Sequence, residues 1–330
     1  MIKTRIIGTG SYVPPDVLTN DNLSEMVDTS DEWIRTRTGI CNRHIARNMN
    51  NSDMACNAAR NAIKNADIDA SLIDLVIVAT STPDYAFPNM ASLVQAGLGI
   101  GNAMCFDVSA ACSGFITALD IAASMLKTGA YKYALIIGSE KMSEIVDWKD
   151  RGVCVLFGDG AGAAVLKADS YDTEAYGSDD ICKLRGIIDS DINNDGAGAG
   201  VLTGGRRFKS SSISDTFIRM DGQEVFKFAV KNVPRTIETL LDKNNLDVKD
   251  IDKFILHQAN VRIIEGVAKR LKISKEKFPV NLAEYGNTSS ASIPILLDEL
   301  NRSGSLRSGE RIVLAGFGAG LSWGSILLVW

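Results

Sequence analysis

The sequence predicts a mixed α/β protein made of two copies of one unit, with helices between and outside two sheets. Three observations lead there. The order of elements repeats: KNADIDASLIDLVIVATST (64–82) runs parallel to KNNLDVKDIDKFILHQAN (243–260), each a helix end, a polar turn and an apolar strand. Those strands are continuously apolar rather than alternating, which marks strands covered on both faces, as in parallel sheets under helices. Finally, 330 residues exceed one ordinary domain, and 45% hydrophobic against 23% charged residues suit a chain with a sizeable core. The expected halves are 1–170 and 171–330.

In chain order, 3–14 and 183–191 each read as a strand ending in a turn, and 52–66 and 222–244 as helices. The matched strands follow. Next come FDVSAACSGFITAL (106–119) and FPVNLAEYGNTSSASIPILL (278–297), each a strand or loop leading into a helix. The closing pairs are 133–140 with 158–167 and 311–320 with 320–329, two strands with glycine between them. The first half adds KMSEIVDWKDRGV (141–153) before its last strand. The second adds a Gly/Asn/Ser-rich stretch, 189–214, expected to be a surface excursion.

A net charge of −5 gives no support for nucleic-acid binding. No apolar run approaches a membrane span, and the first residues, MIKTRIIGTGSYVPP, lack the features of an export signal. The six cysteines form no CxxC pair and no zinc-spaced cluster with the two histidines, so reduced thiols, a cytoplasmic location and no metal are expected.

The chemistry centres on SAACSG (109–114). Cys112 is expected at a strand-to-helix turn among small residues, where the partial positive charge of a helix N-terminus favours thiolate, the nucleophilic form. A lone cysteine is more often a small buried hydrophobe. Its context raises the functional reading, because α/β sheets gather functional residues beyond the C-terminal ends of their strands. His257 ends the strand FILHQAN, and Asn287, in YGNTSS, stands at roughly the place in the second half that Cys112 holds in the first. Pseudo-symmetry is therefore expected to bring them together. Cys, His and Asn suit acyl transfer: a thiol nucleophile and two groups able to donate hydrogen bonds to a carbonyl oxygen. His44, without a strand-end context, reads as structural or superficial. GDGAGA (158–163) and GFGAG (316–320) lack dinucleotide-loop spacing and precede β-like runs, so their glycines read as tight turns that expose backbone N–H groups toward the site.

With these motifs in hand, the chain resembles the β-ketoacyl-acyl carrier protein synthase III family of thiolase-fold condensing enzymes. The resemblance covers nearly the whole chain and rests on DEWIRTRTGI (31–40), AFP (86–88), SAACSGF (109–115), RGVCVLFGDGAGAAVL (151–166), GQEVFKFAV (222–230), HQANVRII (257–264), YGNTSSASIP (285–294) and GFGAGLSWGS (316–325). It implies a thiolase-like fold, a tandem duplication layered α/β/α/β/α. Cys112 would be the acylated nucleophile, and His257 with Asn287 would promote decarboxylation of a malonyl thioester. The N–H groups of Cys112 and Ala319 would form the oxyanion hole. Trp33, Arg37 and Arg151 match positions that hold the coenzyme A nucleotide; Thr29, Gln223 and Asn260 match polar positions along the pantetheine tunnel; Phe317 packs near the histidine. Residues Gln258, Ala259, Asn260, Val261 and Arg262, with Lys227, match contacts to acyl carrier protein. Phe87 would cross a homodimer interface into the partner's acyl pocket. Ala319 stands where Gly is common and Leu321 where an aromatic is common.

The reading that follows is condensation of an acyl-CoA starter with malonyl-acyl carrier protein, initiating fatty-acid synthesis without metal or redox cofactor. The rivals are a family relative serving secondary metabolism, a nicotinamide-dependent oxidoreductase, disfavoured by the glycine-loop context, and a non-catalytic partner subunit, which would be expected to lack the cysteine.

Overall fold

Strands without apolar–polar alternation need cover on both faces, and here each sheet lies between two helix layers. The structure, a computed structural model, describes residues 2–170, 185–205 and 216–330. Cys182 and 206–214 of the predicted excursion lie outside the described residues.

The main strands of the first sheet are β1 (Ile2–Tyr12), β2 (Leu75–Ala79), β3 (Met104–Val108), β4 (Tyr133–Glu140) and β5 (Gly160–Ser170), in the order β1-β5-β4-β2-β3. Those of the second are β6 (Gly186–Asn194), β7 (Lys253–Leu256), β8 (Arg311–Gly318) and β9 (Ser322–Val329), in the order β6-β9-β8-β7. Strand sense matches as well. β1–β5 and β5–β4 are antiparallel while β4–β2 and β2–β3 are parallel. Correspondingly, β6–β9 and β9–β8 are antiparallel and β8–β7 is parallel.

The principal helices are α1 (Asp31–Thr38), α2 (Asn51–Ala66), α3 (Met90–Leu98), α4 (Gly114–Lys127), α5 (Gly222–Lys243), α6 (Val261–Leu271) and α7 (Ser292–Arg302). Side-chain alternation along the strands sorts them into layers. Leu75, Ile77, Ile136 and Leu166 point to a central core with Ile255, Ile312, Leu314 and Ile326 of the other sheet, around Phe115, Leu119 and Leu126 of α4 and Leu296 and Leu297 of α7. Val76, Val78, Leu135, Ile137 and Val165 point outward to Met54 and Ala58 of α2 and Val94 of α3. Leu256, Val313 and Leu327 point to the opposite outer layer, with Val233 and Ile237 of α5 and Ile264 and Val267 of α6. The result is the expected α/β/α/β/α stack. A helix apolar on all sides belongs inside, and α4 buries Gly114, Phe115, Ile116, Ala118, Leu119, Ala122, Ala123 and Leu126.

One expectation is corrected. Residues 189–194 are not part of a surface excursion but the second part of β6, paired along β9. Their Asp, Ser and Asn content reads as loop, yet the side chains find partners: Ser190 donates to Asp120 of α4, and Asp191 accepts from Thr236 and Lys243 of α5. Tertiary partners override local propensity at such a position.

Candidate active site

Two equivalent turns build the floor of the site. After β3 the chain passes through Ala111, at φ +44°, into a 3-10 turn (Ala111–Ser113) that leads into α4. In the other half Ser289, at φ +49°, opens the turn Ser289–Ala291 ahead of α7. Each left-handed L-residue costs about 1–2 kcal/mol, so both turns are imposed by their surroundings. Since α4 starts at Gly114 and α7 at Ser292, the positional counterpart of Cys112 is Ser290, and that of Asn287 is Ser109. The expected equivalence of Cys112 and Asn287 is thus three residues out. They come together because both line one cavity.

That cavity, about 1030 Å³, runs from exposed residues to buried ones. Trp33, Arg37, Gln223, Phe226, Lys227 and Arg262 lie among its outer lining, and Cys112, His257, Asn287 and Phe317 among its buried lining. The GFGAG glycines let β8 approach the nucleophile turn. A Cβ on Gly318 would stand 3.0 Å from Cys112 Cβ, and one on Gly316 3.2 Å from Ser113 Cα. Ala319 follows Gly318 in the cavity wall beside Cys112.

Each of the three side chains is held by named partners. His257 follows β7; its N–H donates to Ala315 O, and its ring meets Phe317 edge-on at 5.2 Å. Ser292 Oγ lies 2.7 Å from His257 Nδ1 and accepts the Gln258 N–H. A Ser292 hydroxyl that donates to Nδ1 leaves the ring proton on Nε2, as a donor. Asn287 is pinned through its backbone to Leu156 O and Gly158 N. Its Oδ1 accepts the Ser289 N–H at 2.9 Å, which leaves the Nδ2 hydrogens for the cavity. Cys112 Sγ lies 3.4 Å from Ser289 Oγ. Neither Ser289 nor Ser292 was singled out from sequence; their signal was the run of hydroxyls in NTSSAS, otherwise unusual ahead of an apolar helix.

Burial governs the protonation states. It pushes the Cys112 thiol up to about 12; the Ser289 hydroxyl lowers it and the Glu140 carboxylate raises it further. This corrects the expectation of a thiolate favoured by the helix N-terminus. At 7% exposure, loss of hydration outweighs the dipole two residues on. Burial likewise pushes His257 down to about 3, so its imidazole is neutral at ordinary pH.

The remaining sequence-predicted residues fall in several places. The Arg37 and Arg151 guanidiniums both lie over the Trp33 ring, 5.3 and 5.0 Å from its centroid. Arg151 also donates to Asp28 O. Gln223 lines the cavity from the first turn of α5. Asn260 lines it too, but its side chain caps α6, accepting from Arg262 N and donating to Arg37 O. Thr29 is absent from the lining, and its buried Oγ1 has no partner among the described residues. Gln258 is corrected as a carrier-protein contact: it is 1% exposed, donating to Leu256 O and accepting from Asn281 N. Its amide satisfies the turn between β7 and α6. Ala259 and Arg262 line the cavity, Val261 is half-buried beside them, and Lys227 pairs with Glu224 at 2.7 Å. Phe87 is 85% exposed, away from this chain's cavity lining. His44 is buried, with Nδ1 against Pro14 O and Nε2 3.5 Å from a Glu284 carboxylate oxygen, a structural role. Among the described residues no group of His, Cys, Asp or Glu is placed to hold a metal, and no helix is long and apolar enough to cross a membrane.

Comparison with known proteins adds the following. Residues 106–181 match the family model for 3-oxoacyl-[acyl-carrier-protein] synthase III, and 241–330 the model for its C-terminal part. A beta-ketoacyl-[acyl-carrier-protein] synthase III of Clostridium botulinum (strain 657) is 50% identical, covering 100% of this chain and 99% of that protein. The solved 3-oxoacyl-[acyl-carrier-protein] synthase III of Aquifex aeolicus VF5 superposes with a TM-score of 0.91 at 45% identity, covering 99% of this chain and 100% of that one. The priming beta-ketosynthase of the R1128 polyketide pathway superposes with a TM-score of 0.90 at 36% identity, covering 99% and 96%.

The neutral His257 generates a pH prediction. A histidine held near 3 stays uncharged as pH falls through 6.5, so it remains the same hydrogen-bond donor. Labelled CO2 release from a malonyl thioester should therefore show no break near pH 6.5. A fall centred there, abolished in His257→Gln, would mean that the ring titrates as an ordinary histidine.

Proposed function

The chain belongs to the 3-oxoacyl-[acyl-carrier-protein] synthase III family, and from that premise we propose how its residues divide the work. It is a condensing acyltransferase that initiates fatty-acid synthesis by joining an acyl-CoA starter to malonyl-acyl carrier protein. The observation that carries the division of labour is one cavity lined by a thiol, a neutral imidazole and an oriented amide.

Cys112 attacks the carbonyl carbon of acyl-CoA, and coenzyme A leaves as the thiol. The N–H groups of Cys112 and Ala319 hold the oxyanion. Malonyl-acyl carrier protein then enters through the same mouth. Its loss of CO2 leaves an enolate, whose oxygen receives hydrogen bonds from His257 Nε2 and Asn287 Nδ2. The enolate carbon attacks the Cys112 thioester, releasing 3-oxoacyl-carrier protein and the Cys112 thiolate, which a proton from solvent returns to the thiol. No redox step occurs, and coenzyme A serves as substrate rather than cofactor. Trp33, Arg37 and Arg151 form the nucleotide end of the tunnel, the guanidiniums suited to phosphate and the Trp33 ring to stacking on adenine. Gln223 and Asn260 line the pantetheine. The free thiols of Cys41, Cys56, Cys105, Cys112 and Cys154 suit the cytoplasm. The resemblance to the polyketide priming enzyme supports a second reading, in which the same chemistry starts a secondary metabolite; a survey of acceptors by product mass separates the two.

Decarboxylation needs no sulfur, and loading does. Losing one donor to a developing oxyanion costs about 3 kcal/mol, on the order of a hundredfold in rate. Cys112→Ala should abolish acyl loading yet still release labelled CO2. His257→Ala and Asn287→Ala should load acyl groups while decarboxylation falls about a hundredfold each. Normal decarboxylation with failed loading in those two variants would reverse the assignment.

Carrier proteins of this pathway are acidic, and so is this chain, so docking calls for a local basic surface. Arg262, Lys269, Arg270, Lys272 and Lys275 are exposed on and beyond α6. Lys277 is tied instead to Lys249 O and Ile251 O. Lys227→Glu combined with Arg262→Glu should weaken use of malonyl-acyl carrier protein, leaving loading from acyl-CoA much less affected. Equal loss of both steps would remove this surface from the docking role.

A homodimer is the assembly that suits the exposed residues Tyr85, Phe87 and Met104 beside the open edge of β3. Phe87 then completes the partner's acyl pocket. Light scattering should give a dimer, and Phe87→Thr should change chain-length preference; a fully active monomer would remove both claims.

A further inference from the structure

A thiol pushed up by burial needs a base before it can attack, and the neutral, weakly basic His257 is committed through Nδ1 to Ser292. The structure offers another acceptor. Strand β4, YALIIGSE, is apolar until its last residues and ends in Glu140, whose side chain is wholly buried. No salt bridge to it forms among the described residues. Five groups able to donate surround it instead. Thr80 Oγ1 (3.3 Å), Ser81 N (2.9 Å) and Thr82 Oγ1 (2.7 Å) donate to Oε2; Ser289 Oγ (3.1 Å) donates to Oε1, and Ser290 Oγ, 3.0 Å from Oε1, shares its one proton with Ala79 O at 2.9 Å. Such a set of hydroxyls and one amide can hold a carboxylate in a dry site and can accommodate a proton on it.

The hydrogen bonds run in one direction. The Cys112 thiol donates to Ser289 Oγ, and the Ser289 hydroxyl donates to Glu140 Oε1. Ser289 is kept between them in the left-handed conformation noted above, and it lines the cavity.

We propose that Glu140, acting through Ser289, accepts the proton of Cys112 during acyl loading. This rests on the assignment of Cys112 as the acylated nucleophile. The S–H bond breaks as its proton passes to Ser289 Oγ, and the Ser289 hydroxyl proton passes to Glu140 Oε1. The sulfur electron pair forms the new C–S bond to the acyl carbon, and the C–S bond to coenzyme A breaks. The reverse shift through Ser289 returns the proton to the departing coenzyme A sulfur, leaving Glu140 ionised again. Ser289 touches the reacting atom. Glu140 is the positioning residue behind it.

The test is acyl loading from acetyl-CoA, followed by rapid quenching and intact mass across pH 6 to 9, with labelled CO2 release from malonyl-acyl carrier protein measured alongside. Burial holds Glu140 above the ordinary carboxylate range, so wild-type loading should rise only until that carboxyl is ionised and then level off within the pH range scanned. Glu140→Gln and Ser289→Ala should load on the order of a hundredfold more slowly at pH 7, as expected for loss of a general base. Their rates should climb about tenfold per pH unit, because attack then depends on thiolate formed by solvent. CO2 release should stay within about threefold of wild type, since that step does not use the sulfur. Variants with wild-type loading and a level profile would overturn the relay, and so would equal loss of both half-reactions. Should Glu140→Gln fail to fold, Ser289→Ala, which leaves the other four groups around Glu140, decides the matter alone. Wild-type acylation at a residue other than Cys112 would overturn the nucleophile assignment itself, whereas a relay failure leaves that assignment standing.

Discussion

The helix Gly114–Lys127 has a sheet on each side, and the placement of the reactive residues depends on that burial. A helix in the middle of a five-layer stack cannot shift without opening cores on both faces, since close-packed interiors transmit displacement. Cys112, two residues before its start, is therefore located chiefly by the packing of Phe115, Leu119, Ala122 and Leu126, with its thiol bonded to Ser289. Its counterpart Ser292–Arg302 does the same for the loop bearing Asn287 and for Ser292 behind His257. Duplication brings the two helix starts side by side in the central layer, so residues as remote in sequence as Cys112 and Asn287 come to line one cavity.

The dryness of that place acts on every titratable group in it. Burial raises the Cys112 thiol and lowers His257, and in both cases the neutral form is favoured. Neutral His257 and the amide of Asn287 are donors that bring no charge of their own, which suits an enolate oxygen whose own charge appears only during the reaction. The same dryness makes an unaided thiolate costly. The carboxylate that acts on the thiol is Glu140, itself raised by burial and surrounded by hydroxyls. Loading and decarboxylation, as proposed, place opposite demands on one cavity, and their hydrogen-bond chains meet at Ser289: its hydroxyl lies between Cys112 and Glu140 while its N–H holds Asn287, and only His257–Ser292–Gln258 runs apart.

Much of this was legible beforehand because the pattern was local. Continuous apolar strands announced sheets covered on both faces, and the repeat announced two of them. Cys112 and His257 could be placed because strand ends can be located from the apolar runs that precede them, whereas Asn287 follows a short helix, Leu282–Tyr285, and was singled out only by its place in the repeat. Other features depended on partners remote in sequence. Residues 189–194 read as loop until Asp120, Thr236 and Lys243 are seen to take up their polar groups. The family resemblance implied a carrier-protein contact at Gln258, whereas its amide is consumed by Leu256 O and Asn281 N. The thiolate expectation considered the helix end without the burial around it.

By itself, then, the sequence determined the duplicated α/β architecture, the family, and which thiol and imidazole stand beyond the ends of strands, because periodicity, repeat order and motif spacing are properties of the chain in one dimension. The tertiary structure decided the protonation states, the offset between Cys112 and Asn287, the covering of Trp33 by two guanidiniums, and the line from Cys112 through Ser289 to Glu140. Each of those depends on how much water is excluded and on which atoms lie within about 3.5 Å, the reach of a hydrogen bond. Residues 140 and 289 carry no sign in the sequence that packing will place them on either side of one hydroxyl bond.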